Sequence, residues 1–278
     1  MTTEARLPTR QLIRADVPAF DHGGLDPQTR DALAELLLTM ADDEFVIGFW
    51  DSEWTGIAPV LEEDVAFSSI AQDEIGHARV WYEMLARLTD GDADKIAFGR
   101  QAAEYRHAAL LDHARHDWAF SIARRWLYDT SDSVRLAALA GASFKPLAEV
   151  VAKVRREERY HLMHLGAWLR RLAGGGDEPR QRLSAALERL RADAGSVFAP
   201  LAGEQILIDS GILTEPMASL ARRWATQARH VLVDELGFEF AADGWNAAGR
   251  DRSEPSESFR WLWTEFTSVA RLEEGVEW

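Results

Sequence analysis

Apolar residues recur three and four positions apart along four long stretches of this chain, the spacing of helices with one buried face. The first begins at Asp26-Pro27, a capping residue followed by proline at the first helical position. On it Leu33, Leu36, Leu37, Met40 and Ile47 share a stripe with Glu44. Phe45, Phe49, Trp50 and Trp54 make this helix bulky enough to expect deep burial. A bend at 54–59 separates it from a second stretch, 59–88, where Ile70, Glu74, His77, Trp81 and Met84 align. The third, 117–142, aligns Ile122, Trp126, Asp129, Ser133 and Leu136. After the interruption at Phe144-Lys145-Pro146, the fourth runs over 146–173 with Val151, Val154, Glu158, His161 and Leu165 on one side, and Gly174-Gly175-Gly176 ends it.

The remaining chain is less regular. Residues 1–26 read as an arm broken by prolines and by Gly23-Gly24. The segment 93–116 has short helical character and three histidines. Further helices are predicted over 179–198, 215–236 and 256–271, with a long loop over 237–255. No stretch alternates as a strand would. The expectation is an all-α protein with a single domain after the arm: a four-helix core over 27–173 and additional helices over 179–278.

The polar residues on the apolar stripes form a repeated pattern. Glu74-x-x-His77 and Glu158-x-x-His161 each place a carboxylate and an imidazole on one helix face. An acid precedes each at nearly the same distance: Glu44 stands 30 residues before Glu74, and Asp129 stands 29 before Glu158. A helical carboxylate followed by a helical Glu-x-x-His, twice over, is the ligand pattern of ferritin-like bundles that hold two metals. The candidate ligands are Glu44, Glu74, His77, Asp129, Glu158 and His161. Their four carboxylates would balance two divalent cations, and without cations they would repel one another inside an apolar core. Mixed oxygen and nitrogen donors suit iron or manganese, and zinc accepts the same donors. The competing reading is a bundle whose polar residues pair among themselves.

Other residues carry less. Asp132 rivals Asp129 but is spaced less well from Glu158. Asp73 and Glu157 point about 100° from the ligand glutamates; they read as surface charges, slightly ahead of partners for histidine ring nitrogens. His164 reads as structural or as a neighbour of the ligands, and His107, His113 and His116 as exposed. Trp81 and Trp126 read first as core, with a substrate pocket as the alternative.

Charge and composition narrow the function. A formal charge of −15 disfavours nucleic acid and anionic membranes as partners. The chain has no cysteine, which removes iron–sulfur clusters and thiol catalysis. No apolar run is long enough to span a bilayer. These features lead to the expectation of a cytoplasmic protein.

The motifs Asp43-Glu44, Trp54-x-x-x-Ala58-Pro59, Gln72-Asp73-Glu74-x-Gly76-His77, Trp126-Leu127-x-Asp129 and Glu157-Glu158-x-Tyr160-His161 resemble the phenylacetyl-CoA epoxidase subunits of bacterial phenylacetate catabolism, the PaaA/PaaC family. The resemblance is good over roughly 30–175. Gly249-Arg250, with Glu257, Phe259, Leu262 and Glu265-Phe266, resembles the end of the PaaC type, as does the length. The resemblance favours Glu44 over Glu53 and Asp129 over Asp132. It implies a di-iron oxygenase that inserts oxygen from O2 into an aromatic or acyl-CoA-linked substrate. Electrons would come from a separate NADPH-dependent reductase, and the chain would form a homodimer or a hetero-oligomer with related subunits. The PaaC-like tail keeps open a non-catalytic structural subunit, and a ferritin-like metal oxidase is a further alternative.

Overall fold

The computed structural model describes residues 17–21, 24–239, 252 and 254–272. Most of the expected arm over 1–26 and of the expected loop over 237–255, including Gly249-Arg250, lies outside the described residues. Among those described, all regular structure is helical. Four long helices form the core: α1 (Pro27–Ser52), α2 (Leu61–Leu88), α4 (Trp118–Leu139) and α5 (Lys145–Gly174), with the short α3 (Ala93–Phe98) between the second and third. α1 packs along α2 and α4 along α5, giving two hairpins around a shared interior. This is the ferritin-like bundle expected from the spacing of apolar residues. No described helix is long and apolar enough to cross a membrane.

Local chemistry sets the helix ends. Asp26 accepts a hydrogen bond from the Thr29 backbone N–H at 3.0 Å, with Pro27 in the first turn. Asp117 caps α4 through the Phe120 N–H at 2.9 Å. α2 has no capping side chain, but Glu62, Glu63 and Asp64 in its first turn complement the helix dipole. α5 stops before Gly176, whose φ of +99° suits a glycine.

The later helices differ in extent from the expectation. The helix predicted over 179–198 is α6 (Asp177–Leu190), followed by turns and a buried 3₁₀ turn at Ser196–Phe198. It starts early because Asp177 and Glu178 favour a first turn and Pro179 is tolerated there. The helix predicted over 215–236 is α8 (Met217–Arg229), which continues as a π-helical turn over His230–Glu235. α7 (Glu204–Asp209) was not expected, because six residues are too few to establish a period. α9 (Glu257–Leu272) lies where predicted and packs against α1 and α3.

The segment between α3 and α4 is tied to α1. Trp50 Nε1 donates to the Leu111 carbonyl at 3.0 Å, and the Ala108 N–H donates to Asp43 at 2.7 Å. His107, expected to be exposed, is therefore buried and lies 3.0 Å from Asp112. His113 is partly covered and meets Asp193 at 2.8 Å. A segment without a helical period can still be core when its backbone groups find partners there.

Gly48 sets the closeness of α1 and α2. A Cβ at this position would lie 2.8 Å from Ile75 Cγ1, 3.1 Å from Glu74 Cβ and 3.2 Å from the Ala71 carbonyl. In an open helix Gly→Ala gains about 1 kcal/mol, whereas overpacking costs about 1–3 kcal/mol. The contact with Glu74, one of the acids in the interior, makes the second effect win. Gly48→Ala should lower the midpoint of urea unfolding without changing its slope. A raised midpoint would show that the two helices part freely.

Candidate metal centre

Three consecutive acids on α1, Asp42, Asp43 and Glu44, are all fully buried. Asp42 accepts hydrogen bonds from Tyr82 Oη at 2.5 Å, Arg100 Nη1 at 2.9 Å and the Arg106 N–H at 2.6 Å. Asp43 accepts from Arg135 at 2.7 Å, Arg252 at 2.8 Å and the Ala108 N–H. Burial alone would raise Asp43, but the two guanidinium groups hold its carboxyl below the usual value. Glu44 differs. Neither of its oxygens has a hydrogen bond, and burial, reinforced by the Glu74 carboxylate, raises it well above the usual range.

Glu44 faces the other residues of the repeated pattern. Glu44, Glu74, His77 and Glu158 each offer a ligand atom within 4.8 Å of the others, and Asp129, Glu158 and His161 form a second such group. Glu158 belongs to both. All six side chains are buried. The structure therefore brings together the six residues selected from sequence.

The rival acids are paired with arginines. Asp132 is held by Arg135, with Nε at 2.8 Å. Glu53 lies 3.5 Å from Arg115.

The histidines show the orientation of the site. His77 turns Nδ1 toward Glu158 (3.4 Å) and His161 turns Nδ1 toward Glu74 (3.0 Å) and Glu158 (3.2 Å). Their outer nitrogens meet carboxylates of the opposite helix: His77 Nε2 is 2.8 Å from Glu157, and His161 Nε2 is 3.2 Å from Asp73. Asp73 and Glu157 had read preferentially as surface charges. Each is half-exposed, yet each orients one buried imidazole across the α2–α5 seam. Their pointing 100° off the ligand glutamates aims them at the neighbouring helix rather than at water. An acid on the far nitrogen fixes the tautomer and raises the basicity of a metal-ligating histidine.

The donor set fits a metal. Besides Glu44, buried oxygens without hydrogen bonds include Glu74 Oε2, Asp129 Oδ2 and Glu158 Oε2. Buried polar atoms are almost always satisfied, so oxygens left without donors in one interior are those a bound cation would use. Four carboxylates and two inward imidazole nitrogens suit iron or manganese, and they would also accept zinc.

Sequence inspection missed Arg125. It is fully buried on α4, with Nη1 3.0 Å from Asp51 Oδ2, Nε 2.8 Å from Asp129 Oδ1, Nη2 hydrogen-bonded to Glu74 Oε1, and Nη2 3.3 Å from His161 Nδ1. The available signal was its position one helical turn before Asp129, which in isolation reads as an ordinary surface ion pair. Burial would raise Glu74, but the Arg125 charge helps to hold it well below the usual carboxylate range. Asp129 stays well above its ordinary value, because burial and the Glu158 charge outweigh the arginine.

A cavity of about 580 Å³ opens beside the centre between α2 and α5. His77, Glu157 and Asp73 line it, with Phe45, Phe98 and Val154 supplying apolar wall and Arg79 and Lys153 adding positive charge. Trp81 and Trp126 are core residues and do not line this cavity. His164 is bonded to Glu63 at 2.9 Å and faces the Phe67 ring.

A four-helix bundle with paired carboxylate–histidine sets facing a buried interior defines a ferritin-like protein with a metal-competent core. Comparison with known proteins makes the assignment narrower. A family model described as phenylacetic acid catabolic protein matches residues 22–278, and the chain belongs to that family. It is 30% identical to the C-type subunit of the 1,2-phenylacetyl-CoA epoxidase of Escherichia coli K12 over 196 residues, covering 70% of this chain and 79% of that one. It is 26% identical to the A-type subunit of the same enzyme over 203 residues, covering 72% of this chain and 64% of that one. The relatives are thus components of an oxidoreductase built from more than one kind of polypeptide.

The protonation of the histidines gives a direct test. Burial alone would lower both. Hydrogen bonds to Glu157 and Glu158 instead push His77 up to about 10, and those to Asp73, Glu158 and Glu74 push His161 up to about 12. Because these values are raised in the fold, both imidazoles carry protons at pH 7, and the stability they contribute is full below the ordinary value of 6.5, declines as pH rises above it and is gone once pH passes the raised values. A ligating imidazole must be neutral, so metal binding releases a proton from each. Calorimetric titration with Mn²⁺ at pH 7, in buffers of different ionisation enthalpy, should show a buffer dependence corresponding to proton release. A heat independent of buffer would contradict the assigned protonation.

Proposed function

We propose that Glu44, Glu74, His77, Asp129, Glu158 and His161 hold two iron ions and that the chain is an oxygenase of the phenylacetate-catabolism type. The observation that carries this reading is the pair of inward Nδ1 atoms, each histidine backed by a carboxylate from the opposite helix, set against a buried carboxylate cluster in which Glu44 and one oxygen each of Glu74, Asp129 and Glu158 have no hydrogen bond. Manganese suits the same donors. Bound iron would supply the redox chemistry that activates O2.

The protein's own residues have separable roles in this reading. Glu157 and Asp73 keep His77 and His161 turned inward. Trp81, Met84 and Ile122 exclude water from the neighbouring core. The cavity between α2 and α5 would receive an aromatic acyl-CoA, with Phe45 and Phe98 against the ring and Arg79 and Lys153 near the anionic part. One oxygen atom of O2 enters the substrate and the other leaves as water, with two electrons and two protons consumed. The electrons would come from a separate NADPH-dependent reductase. Dependence on such a reductase and on coenzyme A thioesters would put the protein in the cytoplasm, in a complex with related subunits.

A second reading, a structural subunit that supports a catalytic partner, is favoured by one observation: the guanidinium of Arg125 already contacts part of the donor set. Metal analysis separates the two. Protein produced with ample iron and purified anaerobically should contain metal at the centre, and Glu158→Ala, which removes the carboxylate common to both groups, should lose it while keeping its helical circular dichroism. Metal-free wild-type protein that also fails to take up Fe(II) would leave the structural reading standing.

A further inference from the structure

The two halves of the centre are alike in sequence and unlike in structure. Glu44, Glu74 and His77 correspond to Asp129, Glu158 and His161. One helical turn before Asp129 stands Arg125; one turn before Glu44 stands Met40. Both are fully buried. Only one half therefore contains a fixed positive charge at this place.

The guanidinium touches atoms that a metal would use. It contacts Asp129 Oδ1, Glu74 Oε1 and His161 Nδ1. Asp129 and His161 belong to the second ligand group, and Glu74 joins the first. An arginine stays protonated in proteins, so it cannot share those lone pairs with a divalent cation without both losing donors and meeting like charge. In the first group Arg125 occupies only Glu74 Oε1 and leaves Glu74 Oε2 without a hydrogen bond, and Glu44, His77 and Glu158 have no hydrogen bond or ion pair to Arg125 among the described residues. The guanidinium has somewhere to withdraw: Nη1 is already bonded to Asp51 Oδ2, on the side away from the histidine. Asp51 also lies 3.7 Å from Arg124.

We propose that Arg125 makes the two metal positions unequal: Glu44, Glu74, His77 and Glu158 bind a divalent metal with the arginine in place, whereas Asp129, Glu158 and His161 bind a second only after the guanidinium withdraws toward Asp51. Arg125 is a positioning residue that sets the order of loading. The singly loaded protein is then a distinct state, with the guanidinium supplying part of the charge that the second ion would bring. This inference rests on the metal-centre reading.

Mn²⁺ titration of the metal-free full chain, followed by electron paramagnetic resonance and calorimetry, tests it. Wild type should bind one equivalent at least about tenfold more tightly than the next, within the 10–100-fold range over which groups around a site tune metal affinity. At one equivalent the spectrum should be that of isolated Mn²⁺. Arg125→Met should strengthen the second equivalent, leave the first nearly unchanged, and give coupled pairs below full loading. Asp51→Asn, which keeps the shape but weakens the place of withdrawal, should weaken the second equivalent, and this variant carries the test if Arg125→Met does not fold. Two equally tight equivalents in wild type, or a second equivalent unmoved by either substitution, would overturn the role of Arg125 while leaving the metal centre intact. No Mn²⁺ binding by wild type or variants would overturn the metal centre and this inference together.

Discussion

Four carboxylates meet in the interior of one helical bundle, and their mutual repulsion is the constraint around which the rest of the structure is arranged. An ionised carboxylate removed from water is costly without a cation or hydrogen-bond donors. Different parts of the cluster are answered differently. Arg125 lies against Glu74 and Asp129, protonated His77 and His161 lie against Glu158, and Glu44 is left with its value raised and its oxygens unbonded. The adjacent Asp42 and Asp43 show the contrast. They are equally buried but saturated by Tyr82, Arg100, Arg135 and Arg252, and they tie the segment between α3 and α4 to the bundle. One stretch of three acids thus serves both support and candidate chemistry, according to which face of α1 each occupies.

The seam between α2 and α5 joins the centre to its surroundings. Glu157 and Asp73 reach across it in opposite directions, each to a histidine of the other helix. This reciprocity makes the orientation of the two imidazoles a property of the packed pair of helices. It also places both outer acids on the wall of the cavity, so a molecule there would lie one hydrogen bond from His77 or His161. Gly48 acts on the other side of the bundle, where its lack of a side chain lets α1 approach the backbone around Glu74.

The chain is related to both the C-type and the A-type components of the epoxidase. It contains the complete donor set, and it also contains an arginine against part of that set. Arg125 has acids on several sides: Asp51 at Nη1, Glu74 at Nη2 and Asp129 at Nε.

The helical class, the four long helices and the six central side chains were legible from residue order, because helix periodicity and the i, i+3 geometry of Glu-x-x-His are local properties of the chain. Capping chemistry located the start of α1 for the same reason. What only the tertiary structure decided involves partners distant in sequence. Asp73 and Glu157 became histidine partners because α2 and α5 pack together. His107 became core because its segment is bonded to α1 on both sides of it. The extents of α6 and α8 and the existence of α7 were set by contacts beyond a short window. Arg125 is the clearest case: its spacing to Asp129 is local, but its meaning depends on Asp51, Glu74 and His161 arriving from three other helices to surround one buried charge.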